Sequence, residues 1–372
     1  MSMDAWLGEL VARRGSDLFV TTGMAPTVKQ DGRFVALGDT PLSAKEVEEA
    51  MALIMDEESR HLFAQTWEAN FAIQRPGLGR FRVSTFLQLA QPGMVLRRIE
   101  TRIPTFEELK LPPVLREVVM AKRGLILFVG ATGAGKSTTQ AAMIGYRNQQ
   151  SDGHILTVED PVEFVHHHGR SIVTQREVGL DTPSFDSALR SALRQAPDLI
   201  LIGEIRTQET MEFAIQFAET GHICMATLHA NNADQAIERI MHLMPEGRHR
   251  QLRYDLAFNL KAIVAQQLLP LKSGSGRSAA FEILLNTPLI ADIIRKGEVD
   301  RLKDVMGRSR EQGMVTFDQS LFDLYMGGQI DMETALAHAD SVNDLRLMIK
   351  LKGGEKLGSG SLDNVTLQPD ME

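Results

Sequence analysis

One eight-residue stretch combines glycines, a lysine and a serine at the spacing of a phosphate-binding loop. It reads Gly130-Ala131-Thr132-Gly133-Ala134-Gly135-Lys136-Ser137 and fits the pattern G-x-x-x-x-G-K-[ST] at every fixed position. The glycines allow the backbone to turn its N–H groups toward a phosphate chain. The lysine is expected to reach the β- and γ-phosphates, and the serine hydroxyl to bind Mg²⁺. The stretch therefore predicts a site for a nucleoside triphosphate.

The residues on either side of this loop match the context that the motif requires. The apolar run 125–129 is typical of a buried strand, and residues 138–147 carry Ala and Met in a pattern compatible with a helix. A helix that begins at the loop would add the positive end of its dipole to the phosphate site. We also expect Thr138, which follows the loop, to contact the nucleotide. The alternative is a chance Gly-rich turn.

Acidic residues follow two further apolar runs, at the strand end where ligands bind in parallel α/β sheets. The run 154–158 is followed by Glu-Asp-Pro-Val-Glu at 159–163, and the run 199–202 is followed by Glu204. We expect Glu204 to emerge beside the phosphate loop, where it could orient and deprotonate an attacking water. The acids at 159–163 could orient Mg²⁺ or a water, and a polar loop is the alternative for them.

Histidines and arginines supply further candidates. His229 ends a predicted strand over 222–229 and could sense a γ-phosphate, although a satisfied strand terminus is the alternative. Three adjacent histidines at 166–168 cannot all face one ion from regular structure, so we expect at least two of them in solvent. A group of five arginines could either grip phosphate or form a solvated basic edge. They are Arg80, Arg82, Arg97, Arg98 and Arg102.

Composition restricts the class of protein. The chain has 372 residues, enough for two domains, with 43% hydrophobic and 24% charged residues. No apolar run approaches the ~20 residues of a membrane-spanning helix, and residues 1–14 do not resemble a signal peptide, so we expect a cytoplasmic protein. The single cysteine, Cys224, excludes an internal disulfide and a Cys-based zinc site. A net charge of −8 argues against non-specific nucleic-acid binding.

The order of the predicted elements divides the chain. Residues 1–100 mix short helices and strands, which is typical of a small α+β domain. Residues 101–113 contain three prolines and form a predicted linker. Strands then alternate with helices through 114–352, the pattern of an α/β domain. The tail at 353–372 is rich in Gly and Ser with scattered acids and is predicted to be disordered.

Together these segments resemble the secretion ATPase superfamily and, within it, the PilT/PilU branch of type IV pilus retraction motors. The resemblance extends from about residue 17 to about residue 344. It rests on four motifs in order: a Walker A loop at 130–137, an aspartate box at 159–166, a Walker B region at 193–206 and a histidine box at 220–229.

The resemblance implies a PAS-like N-terminal α+β domain followed by a RecA-like ATPase domain, with ATP and Mg²⁺ held between the two. It also implies a homo-hexameric ring that acts at the inner membrane on a pilus platform protein, alongside a paralogous retraction ATPase. Its catalytic residues carry over to Glu204, Glu163 and Lys136. Its metal-binding residues, some acting through water, carry over to Ser137, Glu163 and Glu204. Its further nucleotide contacts carry over to Arg82, Arg97, His222 and His229.

Two observations favour the retraction branch and its accessory members. Extension and secretion ATPases of the superfamily usually carry a four-cysteine zinc motif and a longer N-terminal extension, which this sequence lacks. Phe19 stands where the usual retraction pattern has His, and residues 289–296 read LIADIIRK instead of AIRNLIRE. We therefore expect an ATPase that assists pilus retraction. The alternatives are an extension or secretion ATPase, a non-catalytic ATP-binding partner of a paralogous motor, and a RecA-like nucleic-acid motor.

Overall fold

The computed structural model describes residues 2–30, 32–99, 102–274 and 276–353. The pattern of contacts between residues divides the chain into two compact units. The first contains Met1–Lys110 and Gln140–Pro197, and the second contains Leu111–Thr139 and Asp198–Glu372. The domain limits predicted from the sequence, at residues 100 and 114, stay a prediction.

A six-stranded antiparallel sheet lies at the centre of the first unit, in the strand order β3-β2-β1-β6-β5-β4. Its strands are β1 (Asp17–Thr21), β2 (Thr27–Gln30), β3 (Arg33–Ala36), β4 (Glu68–Arg75), β5 (Gly79–Gln88) and β6 (Gln91–Ile99). Three helices accompany it: α1 (Met3–Ala12), α2 (Ala44–Ala52) and α3 (Glu57–Thr66). On β5 the apolar Phe81 and Val83 are fully buried, so the side chain of Arg82 between them lies on the opposite face of the sheet.

Local sequence signals account for much of this unit. The sequence S-A-K-E at 43–46 predicts a capping box before α2, and the structure contains it: Ser43 Oγ accepts from the Glu46 N–H at 3.3 Å, and Glu46 Oε2 accepts from the Ser43 N–H at 2.8 Å. The Asp-Gly pair at 31–32 predicts a hairpin over residues 27–37, and the pairing of Gln30 on β2 with Arg33 on β3 confirms it. Asp31 of its predicted turn lies outside the described residues.

The first unit also holds part of α5 (Lys136–Gln150), the parallel pair β8 (Gly153–Glu159) and β9 (Ser171–Glu177), and α6 (Phe185–Ala192). The sequence does not predict β9. Only Ser171, Val173 and Glu177 of this strand are buried, and Ile172 is 62% exposed. Because its polar residues do not alternate cleanly with apolar ones, the pattern resembles a loop.

The second unit is built on strands that are mostly buried. They are β7 (Gly124–Val129), β10 (Leu199–Ile202), β11 (Ile223–Leu228), β12 (Leu260–Pro270) and β13 (Arg277–Leu285), in the order β13-β12-β7-β11-β10. The pairs from β12 to β10 are parallel, and β13 is antiparallel to β12. Every residue of β7, β10 and β11 is buried, which explains why these strands appear as continuous apolar runs in the sequence.

Helices complete the second unit. They are α4 (Val114–Val119), α7 (Gln208–Glu219), α8 (Ala233–Leu243), α9 (His249–Asn259), α10 (Pro288–Lys296), α11 (Leu302–Arg308), α12 (Phe317–Met326), α13 (Met332–Ala337) and α14 (Val342–Gly353). The sequence predicts helices at 288–296 and 317–327, which α10 and α12 confirm, but it does not predict α14. Nearly all of the predicted disordered tail lies outside the described residues. Among the described residues, no helix is long and apolar enough to span a bilayer.

Candidate nucleotide site

The phosphate loop leaves the carboxyl end of β7 and leads into α5. Its glycines Gly130, Gly133 and Gly135 have φ angles of +140°, +80° and +88°, in the region that side chains other than glycine rarely adopt. The tip of the loop, residues 131–133, is exposed, whereas Ala134 is buried. Ser137 and Thr138 lie half-buried in the first turn of α5. The loop and the helix N-terminus thus have the strand–loop–helix arrangement that binds phosphate.

Strand β12 lies directly against this loop. A Cβ atom on Gly130 would be 2.4 Å from the carbonyl oxygen of Gln266, and one on Gly135 would be 2.8 Å from Gln266 Nε2. The Gln266 side chain is buried, and its Oε1 accepts a hydrogen bond of 2.8 Å from the Thr139 hydroxyl. Gln266 therefore supports both the loop and the first turns of α5. Sequence reasoning missed this residue, which lies 127 positions from Thr139.

The close approach of β12 gives a first testable expectation. Gly130→Ala should lower the free energy of unfolding by roughly 2–4 kcal/mol, because the new methyl group meets a backbone oxygen and the φ angle is strained. Gly133→Ala is the matched control: its Cβ would meet nothing within 4 Å, so only the backbone strain remains, at about 1 kcal/mol. Urea unfolding measures both variants, and equal losses would contradict the steric argument.

Lys136 is folded back into the loop. Its side chain is buried, and Nζ donates to the carbonyl oxygens of Gly130 at 2.7 Å and Ala131 at 2.8 Å. Phosphate oxygens carry more negative charge than carbonyl oxygens and accept stronger hydrogen bonds from an ammonium group. The lysine is therefore placed where a phosphate chain can take over its hydrogen bonds.

Glu204 and His229 meet at the same edge of the sheet as the phosphate loop. Glu204 lies two residues after β10, and its carboxylate is 2.5 Å from Arg206 Nη2 and 3.4 Å from His229 Nε2. Its side chain is only 13% exposed. Because β7, β11 and β10 are parallel neighbours, their carboxyl ends bring these groups to one edge. The structure thus brings Glu204 and His229 together at this edge.

His222 lies at the opposite end of β11. It precedes the strand, and its Nδ1 is within hydrogen-bond distance of the Thr220 hydroxyl (3.0 Å) and the Phe217 carbonyl oxygen (3.2 Å). Six residues of extended chain lie between it and His229, so the two histidines are roughly 20 Å apart. The nucleotide contact predicted for His222 stays a prediction, and the structure places this residue at the other end of β11 from His229.

The predicted arginines and the aspartate box lie in the first unit. Arg82 on β5 is the direct cross-strand partner of Arg97 on β6, so the two side chains share one face of the sheet. Arg82 Nη2 is 3.9 Å from Asp160 Oδ1. Arg97 Nε donates to Asp17 Oδ1 at 2.8 Å, while the guanidinium side chain stays 69% exposed. The structure therefore places the two arginines side by side and brings Arg82 near one acid of the 159–163 segment.

Two glutamates of the 159–163 segment have different surroundings. Burial raises the pKa of Glu159 to about 7, although hydrogen bonds from the Thr157 hydroxyl and from Gln175 Nε2 oppose this effect. Glu163 is exposed. Glu159 is thus a structural carboxyl held by its neighbours, and Glu163 presents its carboxylate to solvent.

The three adjacent histidines do not act together. Burial lowers the pKa of His166 to about 4, and its Nδ1 has no hydrogen-bond partner among the described residues. His167 and His168 are exposed, as expected from the sequence, and His168 Nδ1 accepts from the Val173 N–H at 3.1 Å. In the described part of the chain, no group of three or more His, Cys, Asp or Glu side chains is arranged to hold a metal ion.

Cys224 is a core residue. It is fully buried in β11, and burial raises the pKa of its thiol. We expect a disulfide reagent such as DTNB to label it roughly 1,000-fold more slowly in the native protein than after unfolding in urea, since a core strand opens rarely. Absorbance of the released thiolate measures both rates. Fast labelling of the native protein would show that β11 opens locally.

A family model described as "Type II/IV secretion system protein" matches residues 67–338 of the chain. The chain belongs to this family. It is 58% identical to the type IV pilus ATPase PilU of Pseudomonas aeruginosa, over 98% of this chain and 95% of that protein. It is 40% identical to the type IV pilus retraction ATPase PilT of the same organism, over 87% of this chain and 94% of that protein.

Solved structures of secretion ATPases agree with this assignment. The crystal structure of the pilus retraction motor PilT with bound ADP matches with a TM-score of 0.88 and 38% identity, over 94% of this chain and all of that chain. The ATPase DotB of Legionella pneumophila matches with a TM-score of 0.75 and 25% identity, over 94% and 95% of the two chains. These matches confirm the sequence-based assignment to the PilT/PilU branch, the α/β fold with a RecA-like ATPase domain, and the identification as an ATPase.

Proposed function

We propose that this secretion-family ATPase is a hexameric, Mg²⁺-dependent motor that assists the retraction of type IV pili and so supports twitching motility. The observation that carries the proposal is the 58% identity with PilU across nearly the whole chain, combined with an intact phosphate loop. In this proposal the protein works in the cytoplasm at the base of the pilus machine. Its partners are an inner-membrane platform protein and a paralogous retraction ATPase.

The phosphate loop would bind the triphosphate of ATP. Lys136, which now donates to two loop carbonyls, would turn to the β- and γ-phosphate oxygens. The candidate metal ligands Ser137, Glu204 and Glu163 offer only oxygen atoms, which is the donor chemistry that Mg²⁺ prefers. The ion would neutralise charge that develops on the phosphates.

Glu204 would act on the attacking water. Its side chain is mostly shielded from solvent, and Arg206 and His229 hold its carboxylate from two sides. These contacts fix the orientation of the carboxylate, which lowers the entropic cost of accepting a proton from the attacking water. His229, which directly follows β11, would then connect this carboxylate to the carboxyl end of that strand.

Arginines would complete the charge stabilisation. Arg82 and Arg97 present neighbouring guanidinium groups on one sheet face, and a guanidinium fork binds phosphate oxygens in two places. We propose that they close over the phosphates during turnover, with Asp160 holding Arg82 in the meantime.

Live-cell imaging of labelled pili tests the proposed role. Cells that lack this protein but keep its paralogues should extend pili and retract them weakly, mainly when the pilus carries a load. Complementation with the unaltered protein should restore retraction, and complementation with Glu204→Gln should not. A complete absence of pili would instead show that the protein drives extension.

A further inference from the structure

The connection between β8 and β9 carries the acids that are predicted to serve a bound nucleotide. The chain leaves β8 at Glu159 and enters β9 at Ser171, and Glu163 lies exposed on this connection. Both strands and the connection belong to the first unit. Because a backbone that leaves a sheet also leaves its hydrogen-bond ladder, its N–H and carbonyl groups need other partners. Two side chains of β9 bind three of these groups.

Gln175 takes the place of a neighbouring strand for part of the connection. Its Oε1 accepts from the His166 N–H at 2.7 Å, and its Nε2 donates to the Phe164 carbonyl oxygen at 2.9 Å. A glutamine amide offers an acceptor and a donor, as a peptide group does. The same Nε2 also donates to Glu159 Oε1 at 3.4 Å. One side chain thus contacts both ends of the 159–166 segment.

Glu177 lies two residues further along β9, on the same face of the sheet as Gln175. Its side chain is buried, and Oε2 accepts from the Val162 N–H at 3.2 Å. Its own N–H donates to Asp181 Oδ2 at 2.8 Å, which ties this part of β9 to the turn that follows. The strand register places Glu177 opposite Glu159. Glu177 is therefore held in place where the connection begins.

These contacts hold the backbone on both sides of Glu163. Glu177 binds the N–H of the residue before it, and Gln175 binds the carbonyl oxygen of the residue after it. The side chain of Val162 is buried, whereas that of Glu163 is exposed. A backbone that is held on both sides of a residue restricts the directions in which the side chain can point. The supports on β9 therefore limit the orientation of the Glu163 carboxylate.

We propose that Gln175 and Glu177 are positioning residues of the nucleotide site, which hold the 159–166 segment so that the Glu163 carboxylate keeps one orientation for Mg²⁺ or for a water. The proposal rests on the proposed ATPase function, because it takes Glu163 as a group that acts on the bound nucleotide. It assigns a role in turnover to β9, which acts through Glu163 and not through contacts of its own with ATP.

A double-mutant cycle in the purified full-length protein tests the proposal. Gln175→Met keeps the length of the side chain but removes its hydrogen bonds. It should lower kcat for ATP by roughly 10- to 100-fold, since a small displacement of a reacting group has an effect of this size, and the dissociation constant of ATP should stay within about twofold. In a Glu163→Gln background the same substitution should change kcat by less than about twofold, because the group that it positions is already lost. Gln150→Met, at the exposed end of α5 in the same unit, is the matched control and should keep the wild-type kcat.

Conservative variants separate the hydrogen bonds from the packing of β9. Glu177→Gln keeps an oxygen that can accept from the Val162 N–H, so it should retain most of kcat, whereas Glu177→Met should lose it as Gln175→Met does. Gln175→Asn carries the same amide on a shorter side chain and should fall between Gln175→Met and the wild type. It replaces Gln175→Met in the cycle if that variant does not fold.

Amide hydrogen exchange gives a readout that does not depend on activity. In Gln175→Met the His166 amide should exchange roughly 5- to 10-fold faster than in the wild type, and the Val162 amide should change little. Glu177→Met should show the opposite pattern. Unchanged exchange at both amides, an unchanged kcat in Gln175→Met, or an equal loss of kcat with and without Glu163 overturns the proposal. If the wild type does not hydrolyse ATP, the proposed function fails, and the exchange rates still decide whether β9 holds the segment.

Discussion

Glu204→Gln should bind ATP with the wild-type affinity and lose steady-state hydrolysis, with kcat lower by roughly 10²- to 10⁴-fold. The amide keeps the size of the carboxylate and can stay between Arg206 and His229, but it cannot accept a proton from water. Phosphate release measures turnover, and equilibrium binding of a fluorescent nucleotide measures affinity. The expected pattern is a binding-competent protein that does not turn over.

Glu209→Gln provides the matched control for this result. Glu209 is an exposed glutamate in the first turn of α7, five residues further along the chain, and its loss should leave kcat unchanged. Lys136→Ala should behave differently from both, because it removes the phosphate contact and weakens binding itself. Hydrolysis by Glu204→Gln at the wild-type rate would contradict the assignment of Glu204 as the group that acts on water.

Glu282→Ala should be the most destabilising single truncation that we predict, lowering the free energy of unfolding by about 3 kcal/mol or more. Glu282 lies on β13 with no exposed surface. Its Oε1 accepts from the Ala233 N–H at 2.8 Å, and its Oε2 lies 3.4 Å from the Phe317 backbone nitrogen, which donates to it. These are the first residues of α8 and α12, so one carboxyl group caps two helices.

Urea unfolding of matched variants tests this role. Glu282→Gln keeps the side-chain volume and one acceptor oxygen, so we expect it to lose less stability than Glu282→Ala, roughly 1–2 kcal/mol. Glu311→Ala, at an exposed position of the same unit, should stay within about 0.5 kcal/mol of the wild type. If Glu282→Ala unfolds at the wild-type urea concentration, the two helix N-termini do not depend on this carboxyl group.

The same residue gives a pH dependence with a defined sign. Burial raises the pKa of Glu282 from 4.5 to about 7 in the folded protein. Between these values the unfolded chain ionises this group more readily than the folded chain, so the folded state loses stability as pH rises. The stability difference between the wild type and Glu282→Gln should therefore shrink from pH 4.5 to pH 7 and level off above it. A difference that grows over this range would contradict the raised pKa.

Much of the fold follows from local patterns in the sequence. Buried parallel strands such as β7 and β11 carry unbroken apolar runs, because both of their faces are covered. The sequence predicts helices at 57–66 and 288–296, and α3 and α10 have these bounds. The edge strand β9 and the last helix α14 were missed. In β9 only three residues are buried, so burial imposes no clear period on the sequence.

The phosphate loop can be recognised without a structure, because its glycines, lysine and serine lie within eight consecutive residues and each acts through the local backbone. The sequence also placed Glu204 and His229 at strand ends that parallel pairing brings to one edge. Only the tertiary structure decided what supports this site. Gln266 contacts Thr139 across 127 residues, and Glu282 joins the first residues of two helices. The sequence does not reveal the roles of these residues, because the role of a single polar side chain in a buried strand can be inferred only when its distant partner is known.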